Sequence, residues 1–88
     1  MEIEKKVREM IEDKVVELGF VLDSVEYLKE DGLNILRVTI DKSGYVNIED
    51  CEIVSKAIDP MFDDVEFIED SYILEVSSKE KGEIEDGQ

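Results

Sequence analysis

The sequence predicts an α+β two-layer sandwich in the order helix, strand, strand, helix, strand, with two helices on one face of a three-stranded sheet. Three observations predict it. Two segments carry apolar residues at helical spacing, and two others alternate apolar with polar. An Asp-Gly pair sits between two strand-like runs, as a hairpin needs. Two amphipathic helices must bury their stripes, and the apolar side of a small sheet is the economical cover. The other side of that sheet is then left to water or to a partner.

Ile3, Val7, Met10, Ile11, Val15 and Leu18 form one helical stripe over residues 3–18, with charged residues between them and i,i+4 pairs such as Glu2–Lys6 and Glu4–Arg8. Gly19 follows as the expected C-cap. From Phe20 to Glu30 the pattern turns to β, but imperfectly. Val21, Val25 and Tyr27 share one parity, whereas Leu22 and Leu28 share the other. After Asp31-Gly32 the run Ile35 to Asp41 alternates cleanly, with Leu36, Val38 and Ile40 inward and Arg37, Thr39 and Asp41 outward. Lys42 to Tyr45 reads as a loop. Asn47 is placed to cap a second helix whose first turn carries Glu49, Asp50 and Glu52. Its expected stripe is Ile48, Cys51, Val54, Ala57, Ile58, Met61 and Phe62, and Pro60 ends or kinks it near Asp59. Tyr72 to Ser78 alternates again as a third strand. Residues 1–78 are therefore expected to form one domain, and 79–88 a polar, disordered tail.

Composition removes whole classes of function. The 88 residues hold 25 Asp plus Glu against 10 Lys plus Arg, for a net charge of −15, with no His and one Cys. Without His, and with a single Cys, zinc centres, haem ligation, His-activated nucleophiles and disulfide frameworks are excluded. The lone thiol suits the reducing cytoplasm. A charge of −15 repels phosphate backbones and anionic lipid, so neither free nucleic acid nor membrane is an expected partner. Basic partners are the natural complement.

Asp59, Asp63, Asp64, Glu66, Glu69 and Asp70 form an acidic run without a basic residue among them, suited to docking a basic protein or to solvating a loop. Glu26, Arg37 and Glu75 are expected to face outward from the three strands, as a cross-strand ion pair or as part of a surface that meets a macromolecule. Residues 41–52 begin with Asp and end with Glu as a calcium loop does. The position that requires Gly is Val46, however, and the preceding flank is a strand, so that reading fails. Cys51 falls on an apolar stripe beside Asp50 and Glu52, which suits a buried small side chain better than a reactive thiolate. Paired carboxylates are uninformative among 25 acids, and no concave pocket for an enzyme is expected in so small a domain. No phosphate-cradling glycine pattern is present, including the G-x-x-G clamp of KH domains. No catalytic, cofactor-binding or metal-ligating residue is assigned.

Three stretches together resemble one family. Leu36-Arg37-Val38 with Ile40-Asp41 resembles an "LRV-x-ID" strand. Gly44 to Val46, Asp50-Cys51 and Ser55-Lys56-Ala57 resemble a "GV…DC…SRA" loop and helix, and Tyr72 to Ser78 resembles "Y-x-LEVSS". With Val25-Glu26-Tyr27 upstream, the chain is similar over about residues 3–78 to the N-terminal domain of the ribosome maturation factor RimP. The resemblance implies the same element order, related to the KH type II arrangement. It implies a non-enzymatic factor that binds the small ribosomal subunit during its maturation, through a basic ribosomal protein. The family pattern continues "PG-x-x-RPL" into a second, barrel domain, whereas Lys79-Glu80-Lys81 stands here. Lys56 replaces the usual Arg, which keeps the charge without the bidentate fork. The expected contact residues are Glu26, Arg37, Asp59, Asp63, Asp64, Glu66 and Glu75, and the chain is expected to be a monomer or to self-associate weakly. The alternative is an acidic, stand-alone interaction or self-association module that no longer acts on ribosomes.

Overall fold

The computed structural model describes residues 2–79. The residues of the expected tail from 80 to 88 lie outside the described part. Five main elements follow in the predicted order: α1 (Glu2–Glu17), β1 (Val21–Glu30), β2 (Leu33–Asp41), α2 (Ile48–Ile58) and β3 (Ile73–Ser78). A 3-10 turn, Asp59–Phe62, continues α2. Pro60 stands at its start, where a missing N–H costs nothing, and converts the end of the α-helix into a tighter turn.

The sheet has the order β1-β2-β3 and is mixed. β1 and β2 form an antiparallel hairpin closed by Asp31 and Gly32, both with positive φ (52° and 78°), the geometry of a type I′ turn. β3 runs parallel to β2, from Ile35↔Ile73 to Ile40↔Ser78. A parallel neighbour requires a crossover, and α2 with its 3-10 turn supplies it.

The imperfect alternation of β1 has a physical cause. Leu22 pairs with Ile40 and Ser24 with Thr39, so Asp23 is an extra residue in β1. Such a bulge resets the parity of the strand. Leu22, Val25 and half-buried Tyr27 therefore share the core face, while Val21 is 58% exposed. The expectation that Val21 joins Val25 and Tyr27 is corrected by this single residue.

Both helices cover one face of the sheet. Val7, Ile11 and Val15 of α1 and Val54 and Ile58 of α2 are fully buried against Leu36, Val38 and Ile40 of the central strand. Phe62 and Ile68 close the end of this core, where Phe62 and Tyr72 meet edge to face with centroids 6.3 Å apart. One member of the expected α2 stripe departs from it: Ile48, in the first turn, is 78% exposed. The helix begins at the rim of the sheet, before its inward face reaches the core, so the stripe starts with Cys51.

Candidate protein-docking surface

The face of the sheet opposite the helices is ordered by register into rows. Leu28, Ile35 and Ile73 lie side by side across the three strands, followed by Glu26, Arg37 and Glu75, then by Ser24, Thr39 and Ser77. An apolar row, a charged row and a hydroxyl row thus share one surface. Thr39 Oγ1 and Ser77 Oγ are 3.4 Å apart in the last of these.

The charged row brings together three of the residues singled out from the sequence. Arg37 Nη2 donates to Glu75 Oε1 at 3.4 Å, and its Nε lies 3.3 Å from Glu75 Oε2. That Nε is buried and makes no hydrogen bond, so its contact with Glu75 is electrostatic only. Glu30 Oε2 adds a second acid at 3.6 Å from Nη2. The hydrogen bond and charge of Glu75 raise the Arg37 pKa, with smaller contributions in the same direction from Glu30 and Glu26. One cation is surrounded by three carboxylates, and the row keeps an acidic surplus.

The acidic run sits elsewhere. Asp59 opens the 3-10 turn and Asp63 follows it, both exposed, while Asp64 and Glu66 are exposed in the connection to β3. Burial raises the Tyr72 pKa first, and the nearby charges of Asp59 and Asp63 add to it. The same connection is anchored at three places. Ile68 is buried, Lys6 of α1 lies over the Phe67 ring at 5.5 Å, and Asn34 Nδ2 donates to the Ser71 carbonyl at 3.0 Å. The seven expected contact residues therefore fall into two groups, the sheet row and the approach to β3, with no hydrogen bond or ion pair between them.

Contacts between α1 and the edge of the sheet join residues far apart in the sequence. Glu4 and Arg8, expected to pair along α1, both reach β1, and the ion pair that Arg8 makes along the helix is with Glu12. Glu4 Oε2 accepts the Tyr27 N–H at 2.8 Å, and Arg8 donates to the carbonyls of Leu22 (3.3 Å) and Asp23 (3.1 Å). Arg8 is held by Glu12 at 3.3 Å as it does so. Tyr45, Ile48 and Ile53, on and before α2, are exposed, and Glu49, Glu52, Ile53 and Lys56 line a shallow groove of about 280 Å³ there. Nothing in one sequence signals which of two sheet edges a helix will cover.

Charge and shape narrow what these surfaces can do. Among the described residues no group of three or more His, Cys, Asp or Glu is placed to hold a metal ion, and no helix is long and apolar enough to cross a membrane. The Cys51 thiol is half-buried, and burial, with the charge of Asp50, pushes its pKa up and away from thiolate reactivity.

The sequence model of a family described as the RimP N-terminal domain matches residues 10–79. The chain belongs to the RimP N-terminal domain family. RimP proteins are ribosome maturation factors and are not a known enzyme family, so membership suggests a role in ribosome maturation. The match covers both strand motifs and the whole of α2, the segments that carry the resemblance in the sequence.

Proposed function

We propose that this RimP-family domain is a non-enzymatic binding module that acts on the small ribosomal subunit during its maturation and engages a basic ribosomal protein there. The observation that carries this reading is the open sheet face, where Arg37 is outnumbered by Glu75, Glu30 and Glu26 on a chain of net charge −15. A surface of this kind repels RNA and attracts cationic protein, steering encounter by charge and fixing register with a few polar contacts. Residues Glu26, Arg37 and Glu75 form the central part of the contact, and Asp59, Asp63, Asp64 and Glu66 extend its acidic field. The setting is the cytoplasm, where a chain with one unpaired thiol stays reduced.

Charge reversal tests this reading patch by patch. A Glu26→Lys/Glu75→Lys variant and an Asp59→Lys/Asp63→Lys/Asp64→Lys variant are compared with the parent for association with free small subunits. Loss of association in folded variants supports the assignment, with the sheet pair the more damaging. Association unchanged in both would overturn the surface assignment.

A further inference from the structure

The two edges of the sheet are treated differently by the fold. The outer edge of β1 is closed by α1, because Glu4 accepts the Tyr27 N–H and Arg8 donates to the Leu22 and Asp23 carbonyls. Charged side chains that occupy edge groups are a known protection against further pairing. The bulge at Asp23 adds to it by interrupting the ladder on the same strand.

Among the described residues β3 has no such cover. The Lys79 N–H donates to the Ile40 carbonyl at 2.8 Å, which fixes the phase of the ladder. Backbone groups alternate along a strand, so Ile73, Glu75 and Ser77 also address β2. Leu74, Val76 and Ser78 then direct their N–H and C=O groups away from the sheet. Among the described residues no hydrogen bond reaches these groups. An open edge of this sort is a template for an added strand.

We propose that the outer edge of β3 takes an extended segment of a basic protein as a fourth strand, paired through Leu74, Val76 and Ser78. The pattern of that segment follows from the two sides of the strand. Alternate residues on the open face run beside Ile73, Glu75 and Ser77, where an Arg or Lys meets the acidic row ending in Glu75. The intervening residues run beside Leu74 and Val76, half-buried members of the core, and are apolar. The approach to the strand carries Asp63, Asp64, Glu66, Glu69 and Asp70, so the charge of the edge selects a cationic segment. A second copy is the poorer occupant, since it would bring two chains of −15 together. The proposal rests on the reading of the domain as a docking module for a basic protein and specifies how that protein is held.

The test uses a synthetic decapeptide alternating Lys or Arg with Val, its Glu–Val counterpart, and a copy of the basic peptide N-methylated at every residue. Amide resonances and hydrogen exchange are followed on the full chain. The expected result is binding of the basic peptide alone, with new protection at Leu74, Val76 and Ser78, and loss of binding on N-methylation. Ser78→Pro removes one outward N–H, leaves the Lys79–Ile40 bond in place, and weakens binding about tenfold or more. Protection at the β1 edge, equal binding of the Glu–Val peptide, binding indifferent to N-methylation, or dimerisation as the only event at β3 would each overturn the proposal. Failure of the ribosomal reading is separate. Small subunits that bind the parent and Ser78→Pro equally would overturn strand addition alone. Protection of β3 by the basic peptide without any association with subunits would support strand addition and count against the ribosomal role.

Discussion

Lys42 Nζ lies 2.8 Å from Asp50 Oδ2, joining the end of β2 to the first turn of α2. Asp50 is also the acidic member of a capping box: its carboxylate accepts the Asn47 N–H at 3.1 Å, and its own N–H donates to Asn47 Oδ1 at 2.8 Å. The loop between β2 and α2 is thereby held at both ends by one side chain. The Lys42 hydrogen bond, followed by the Asn47 N–H, lowers the Asp50 pKa below the usual carboxylate value, against a smaller opposing effect of burial.

A carboxylate whose folded-state pKa is depressed stabilises the fold above its unfolded-state value and loses that contribution as pH falls through the folded-state value. Asp50→Asn is therefore less stable than the parent at neutral pH, and the gap closes only at pH values below the ordinary carboxylate range. Urea unfolding of the two proteins across an acid series checks this. A gap that is independent of pH down to strong acid would contradict it.

Ile58 is fully buried where α2 meets the sheet and the 3-10 turn begins. Ile58→Ala opens a cavity at the junction of both layers and costs about 2–5 kcal/mol. For a domain of this length that is a large share of the total stability. The midpoint of denaturant unfolding falls accordingly, whereas Ile48→Ala, at a 78% exposed position, leaves it nearly unchanged.

Arg37 holds Glu75, Glu30 and Glu26 around one positive charge. Arg37→Gln leaves three acids facing one another, so its melting temperature drops, and the drop is largest at low salt. Between about 0.01 M and about 1 M salt the screening length falls from about 30 Å to about 3 Å, and the variant recovers more than the parent over that range. Thermal melts at several salt concentrations measure the difference directly. Equal salt responses would mean that Arg37 does not balance the row.

Cys51 packs against the core with its pKa raised by burial and by Asp50. Labelling of the native protein with a thiol reagent at neutral pH is therefore much slower than labelling in denaturant. Rapid native labelling would contradict this placement.

The fold was legible in the sequence to the extent that periodicity and turn chemistry set it. The stripe from Val7 to Val15, the alternation of Leu36, Val38 and Ile40, the Asp31-Gly32 turn, the Asn47 cap and the break at Pro60 all state their roles locally. What could not be read depended on contacts distant in sequence. The bulge at Asp23 becomes visible only against its partner strand, because parity is defined by pairing. Lys42 and Asp50 are eight positions apart in a loop whose path the sequence does not specify. Glu4 and Arg8 resemble an ordinary surface pair until β1 is laid beside α1. The candidate surface was legible in the same partial way. Alternation placed Glu26, Arg37 and Glu75 on one face, and the shared register made them one row. The acidic run had no periodicity to place it, so its separation from that row emerged only from the course of the chain around Phe67 and Ile68.

The central claim, recognition of the small ribosomal subunit through protein contacts, is tested most directly by co-sedimentation. The purified chain is mixed in parallel with free small subunits, large subunits and naked ribosomal RNA at near-physiological salt. Selective pelleting with small subunits is the result expected of an acidic domain that recognises a basic ribosomal protein. Pelleting with naked RNA, or equal pelleting with both subunits, would contradict it.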